Sequence, residues 1–140
     1  MKKQEKEIHK CPLTKEVILI VDDIQETLHL LREYLSIYFD VLHASNVKQA
    51  MFFCSQVAVD YVLTDLNLEL SDEKSGFDLI KELKGIGYKG KIIVMSGYLY
   101  NLSEKEQEDL MLADKVFRKP FSIDDLRFWI YMNRGTFLDT

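Results

Sequence analysis

At 140 residues and a formal net charge of −5, the chain has room for one domain and carries the wrong sign for broad electrostatic attraction to nucleic acid, which argues against a DNA-binding module. A hydrophobic fraction of 47% against 29% charged residues is ordinary for a globular domain with one compact core. The longest apolar strings fall short of the roughly 20 residues of a membrane helix, and no secretion signal follows Met1-Lys2-Lys3, so a cytoplasmic protein without direct membrane or nucleic-acid contacts is expected.

Residues 1–15 mix charges without periodicity and read as a flexible leader passing Pro12. Val17-Ile18-Leu19-Ile20-Val21 is an apolar run of strand length that ends on Asp22-Asp23. Thr27, Leu28, Leu30, Leu31, Tyr34, Leu35 and Tyr38 then recur at helical spacing, so the first strand leads into a helix. Asp40 to Ala44 reads as a second, short strand, and Asn46 as the cap of a helix through Met51, Phe52 and Cys54.

Tyr61-Val62-Leu63-Thr64 forms the third strand and delivers Asp65 to its end. The polar, acidic stretch from Leu66 to Ser75 is a loop, and the helix opening at Gly76 is closed by Gly85 and Gly87. Ile92-Ile93-Val94-Met95 stops at Ser96-Gly97, and Ser103 with Glu106 spells a capping box for the fourth helix. Val116-Phe117-Arg118 stops at Lys119-Pro120, and Ser122 with Asp124 and Asp125 opens a fifth helix over 123–132. Residues 135–140 remain as a tail after a single domain spanning 16–134. Cys11 and Cys54 make neither a disulfide framework nor a metal spacing, and His9, His29 and His43 are scattered.

Strict alternation of strand and helix calls for an α/β fold with a five-stranded parallel sheet, because crossovers between parallel strands are helical and right-handed. In open sheets of this kind ligands bind beyond the carboxyl ends of the strands, where Asp22, Asp23, Asp65, Ser96 and Lys119 all fall. Clustered carboxylates repel, so they persist only where a cation or a proton offsets them. A hard divalent cation is the natural candidate, and acids, a hydroxyl and an ammonium together suggest phosphoryl chemistry. Each residue alone has a bland alternative as a helix cap, a turn residue or a solvated lysine; their convergence at four strand ends is what the bland alternative does not explain.

In this order and spacing, Asp22-Asp23, Thr64-Asp65, Ser96-Gly97 and Lys119-Pro120-Phe121 resemble the receiver domain of two-component response regulators over about Glu16 to Arg134. The resemblance implies a doubly wound, flavodoxin-like (βα)5 fold with strand order 2-1-3-4-5. It implies that Asp65 accepts a phosphoryl group from a sensor histidine kinase or histidine phosphotransfer protein. Asp23 and Asp65 would ligate Mg²⁺, with Asp22 acting mainly through water and Asn67 contributing its backbone carbonyl. Lys119 would pair with the phosphoryl oxygens, Ser96 would donate a hydrogen bond to them, and Lys119-Pro120 would be cis. The family's read-out is a partner or homodimer contact across helix 4, strand 5 and helix 5, by a domain that assists its own phosphorylation without being a conventional enzyme.

Three features depart from that pattern. Val116 stands where the family carries a rotating aromatic ring, and Phe117 beside it should face the other way because side chains alternate along a strand. The loop after Asp65 is long and carries Glu69, Asp72 and Glu73. Helix 5 holds Leu126, Phe128, Trp129, Ile130, Tyr131 and Met132, more apolar surface than one core-facing stripe uses, so part of it should lie outside. Two alternatives stay open: a degenerate receiver that binds partners without phosphorylation, and a Mg²⁺-dependent phosphohydrolase, for which the chain has no spare residues to build a cap.

Overall fold

The computed structural model describes residues 15–68, 74–97 and 99–134. Residues 1–14 and 135–140, expected to be a leader and a tail, and the acidic positions Glu69, Asp72 and Glu73 lie outside the described residues.

Five strands, β1 (Val17–Val21), β2 (Asp40–Ala44), β3 (Tyr61–Asp65), β4 (Lys91–Ser96) and β5 (Lys115–Arg118), alternate with five helices. These are α1 (Gln25–Leu35), α2 (Val47–Gln56), α3 (Gly76–Gly85), α4 (Glu104–Leu110) and α5 (Ile123–Met132). The strands pair in parallel in the order β2-β1-β3-β4-β5. β1 and β3 lie inside the sheet with their neighbours in register, Val21 opposite Thr64 and Asp65 opposite Met95. The strand ends that carry Asp22, Asp65, Ser96 and Lys119 therefore share one edge.

The two-residue period of a strand sends alternate side chains to opposite faces, and each face has its own core. Leu19, Val21, Val62, Ile92 and Val94 pack with α2 and α3 through Val47, Ala50, Leu79, Ile80 and Leu83. Ile18, Ile20, Leu63, Ile93 and Met95 pack with α1 and α5 through Leu28, Leu31, Leu35, Leu126 and Ile130. Val116 joins the first core and Phe117 the second, the opposed orientation expected from alternation. Full burial of each Ile or Leu side chain contributes about 1.5–3 kcal/mol, so these strands are held by both faces and not by hydrogen bonds alone.

The helix starts follow their caps. Asn46 Oδ1 accepts from Gln49 N at 2.8 Å, Ser122 Oγ from Asp125 N at 3.2 Å, and Ser103 with Glu106 closes the capping box expected from sequence. A further box, Ser75 with Asp78, fixes the first turn of α3, whose far end turns through Gly87 at φ 73°.

The first helix is narrower than its sequence stripe. It ends at Leu35, only Leu28, Leu31 and Leu35 of the stripe are buried, and Leu30, Tyr34 and Tyr38 are exposed. A helix resting on a sheet buries one strip about 100° wide, and residues a single position off that strip turn to solvent. The aromatic that enters the core after α1 is Phe39 and not Tyr38, over whose ring the Arg127 guanidinium lies at 3.5 Å. In α5, Leu126 and Ile130 are buried while Phe128, Tyr131 and Met132 are exposed, so its excess apolar surface does lie outside. Among the described residues no helix is long and apolar enough to cross a membrane.

Candidate phosphoryl-transfer site

β1 ends in a residue with no access to solvent. Asp22 is fully buried, its Oδ1 accepts from Ile24 N at 3.0 Å, and among the described residues its Oδ2 has no hydrogen-bond partner. Burial is the largest influence on this carboxyl and holds its pKa above the ordinary carboxylate value. The Ile24 N–H and the Lys119 ammonium pull it down, and the charges of Asp65 and Asp23 push it up, so the three acids feel one another.

Asp65, at the end of β3, is 6% exposed. Its Oδ1 accepts from the Asn67 backbone N–H at 3.2 Å and its Oδ2 from Lys119 Nζ at 2.9 Å. The same ammonium stands 3.6 Å from the unbonded Oδ2 of Asp22, so one cation spans the two buried carboxylates. The backbone N–H of Lys119 donates to the Ser96 carbonyl at 2.8 Å, extending the β4–β5 pairing by one residue and fixing the side chain at this edge; the Lys119–Pro120 peptide is cis, as the resemblance implied. Ser96 is itself buried. At Gly97 a Cβ would meet none of the described residues nearer than Lys119 Cβ at 3.9 Å.

All six residues singled out from sequence thus stand at the carboxyl edge: Asp22, Asp65, Asn67 and Lys119 in direct contact, Asp23 beside Asp22, and Ser96 through the backbone of Lys119. Among the described residues no three His, Cys, Asp or Glu side chains are grouped as a ready metal cage. The donor set nonetheless suits a hard cation that keeps most of its waters: oxygen ligands throughout, with the Asp22 Oδ2 buried and short of a partner.

Two residues that touch Asp65 were given no role by sequence reasoning. The Thr64 hydroxyl donates to the Asp65 carbonyl at 2.8 Å, and Gly76, the first residue of α3, abuts the same carbonyl. The available signal at Gly76 was a helix opening on glycine, which forms helix less well than alanine. A groove of about 440 Å³ beside β2 and α2, lined by His43, Ser45, Lys48, Gln49, Phe52 and Phe53, shares no residue with the site.

The family model of the response regulator receiver domain matches residues 18–130. Transcriptional regulatory protein CiaR of Streptococcus pneumoniae is 26% identical over 113 residues, covering 81% of this chain and 49% of CiaR. The chain spans about half the length of the curated relatives it matches in this way. A CheY-like receiver domain from Methylobacillus flagellatus superposes with a TM-score of 0.72 at 26% identity, over 85% of this chain and 98% of that one. Response regulator TrrA of Thermotoga maritima, solved in complex with Mg²⁺-BeF, superposes with a TM-score of 0.72 at 24% identity, over 84% and 97%. With its strand order, its strand-end acids and a family match over most of its length, the chain belongs to the receiver domains of two-component response regulators.

Proposed function

We propose that this receiver accepts a phosphoryl group on Asp65 from a phosphohistidine, carried by a sensor histidine kinase or a histidine phosphotransfer protein, and so changes its contacts with a downstream protein in the cytoplasm. The observation that carries the reading is the Lys119 ammonium, 2.9 Å from Asp65 Oδ2 and 3.6 Å from the buried, unbonded Asp22 Oδ2. A carboxylate so placed is held in one orientation beside a cation, which is what an acceptor needs.

In the transfer, an Asp65 oxygen forms the new O–P bond as the P–N bond to the donor imidazole breaks, and the electron pair of that bond returns to the ring nitrogen. Asp22, Asp23, Asp65 and the Asn67 backbone carbonyl would hold Mg²⁺, which when bound offsets the negative charge of carboxylates and phosphoryl oxygens. Lys119 moves from the carboxylate to the arriving phosphoryl oxygens as a charge-assisted donor. The Ser96 hydroxyl donates to another, drawing in the segment between β4 and α4. The chain assists this chemistry by position and charge, as an acceptor and not a turnover enzyme.

The surface proposed to report the change is α4–β5–α5, where β5 is the sheet's edge strand and α5 exposes Phe128, Tyr131 and Met132. A downstream protein or a second copy of the chain would bind there. With Val116 packed in the core in place of a mobile ring, the response of β5 itself is muted. Val116 also favours the alternative of a partner-binding receiver that is not phosphorylated.

Incubation with acetyl phosphate and Mg²⁺, followed by intact-mass measurement, separates the readings. One added phosphoryl group in the wild type that is missing in Asp65→Asn is the expected result. An unmodified wild type would leave the phosphorylation-independent module standing, and turnover of an external phosphate ester would favour the hydrolase.

A further inference from the structure

We infer that Thr64 and Gly76 are positioning residues for phosphoryl uptake: together they hold the Asp65–Leu66 peptide, and through it both the acceptor carboxylate and the Asn67 backbone. The inference rests on the Asp65 reading above and names two residues to which that reading gives no part.

Thr64 is fully buried in β3, and its hydroxyl donates to the Asp65 carbonyl at 2.8 Å. From the other side Gly76 closes on the same peptide, against the Asp65 carbonyl, while its N–H donates to the carbonyl of the next one, Leu66, at 2.9 Å. A Cβ at Gly76 would lie 2.7 Å from Leu66 Cα and nearer still to the Asp65 carbonyl oxygen, both of them backbone atoms that cannot swing aside. The Ser75–Asp78 capping box pins this first turn of α3, so Gly76 cannot retreat to make room.

The far side of the peptide is anchored as well, because Leu66 and Leu68 are both buried. Between these anchors the Asn67 N–H donates to Asp65 Oδ1 at 3.2 Å. A rotation of the Asp65–Leu66 peptide would therefore shift the carboxylate and the Asn67 amide together. Glycine is not a general need of this helix, since at Gly85 an added Cβ would meet none of the described residues within 4 Å.

Thr64→Val keeps the shape of the side chain and removes the hydroxyl. It should slow phosphoryl uptake from acetyl phosphate about five- to tenfold, the scale of one hydrogen bond, and shift the Asn67 amide proton in the NMR spectrum of the metal-free protein. Thr64→Ser should restore both. Gly76→Ala should lose more, while Gly90→Ala serves as a matched clash at the opposite edge of the sheet, where a Cβ would lie 2.5 Å from the Asp60 carbonyl and on the Tyr88 hydroxyl. Gly90→Ala should lose stability and keep the uptake rate of its folded fraction.

Wild-type uptake and an unmoved Asn67 resonance in Thr64→Val would overturn the inference, as would Thr64→Ser behaving like valine. Equal slowing in Gly90→Ala and Gly76→Ala would reduce the glycine's role to general stability and overturn that half. Should the wild type take up no phosphoryl group, the Asp65 reading fails by itself, and the Asn67 resonance in the three Thr64 forms still decides the positioning claim.

Discussion

The two edges of the sheet carry the same kinds of side chain and use them in opposite ways. At the amino edge, Asp60 Oδ2 accepts from the leading N–H of β1, Val17 N, at 2.8 Å, and Asp114 Oδ2 accepts from Ile92 N in β4 at 2.8 Å. Glu16 accepts from the Tyr61 hydroxyl at 2.8 Å and pairs with Arg134 at 3.0 Å. At the carboxyl edge Asp22 and Asp65 gather on one ammonium, and an oxygen of Asp22 finds no donor. The difference follows from strand direction: parallel strands all present unpaired N–H groups at one end and carbonyls at the other. An acid at the first end is met by the strands' own N–H groups and becomes part of the scaffold, while at the second the strands offer only carbonyls, so Asp22 and Asp65 take their donors from the turns that follow, Ile24 N and Asn67 N, and from the Lys119 ammonium.

Substitutions at the two edges should therefore separate activity from stability. The largest effect is expected from Lys119→Ala, which removes the ammonium that contacts both Asp22 and Asp65. Phosphoryl uptake from acetyl phosphate should fall at least about a hundredfold, the scale of losing a preorganised charge-stabilising donor, with the far-ultraviolet circular dichroism unchanged. Loss of fold in place of loss of rate would make Lys119 a scaffold residue like those of the amino edge.

Next in size is Asp60→Ala, which strands the Val17 N–H and should cost about 2 kcal/mol in denaturant unfolding, while the folded protein takes up phosphoryl at the wild-type rate. Slowed uptake would erase the contrast between the edges.

The smallest effect has the opposite sign. Because burial holds the Asp22 pKa above its unfolded value, the native state binds more protons in that window and stability falls as pH rises through it. Asp22→Asn should then stabilise the chelator-treated protein by about 1 kcal/mol at neutral pH, and the gain should vanish at acid pH, where the native carboxyl is already protonated. Thermal melts of both forms across that range measure it. A gain that persists in acid would mean that packing, and not charge, is relieved.

Much of this architecture is legible in the order of residues along the chain. The unbroken apolar run Val17–Val21 forecast a strand of a parallel sheet, and the caps at Asn46, Ser103 and Ser122 forecast three helix starts. Periodicity overreached in α1, where Leu30 and Tyr34 continue the apolar pattern but stand in solvent, because a pattern of residues does not say how wide a strip the sheet will cover. It was silent about Thr64 and Gly76, whose contacts with Asp65 depend on how α3 returns to the end of β3.

Sequence alone determined the order of strands and helices, the acids, hydroxyl and ammonium at the strand ends, and the family that such an order resembles. All of these are properties of neighbours along the chain. The tertiary structure decided that Asp22 is sealed from water with one oxygen unpartnered, that Lys119 crosses from β5 to two other strands, and that acids at the amino edge are spent on backbone donors. Desolvation and close approach are set by what packs from elsewhere in the molecule, and no local pattern encodes them.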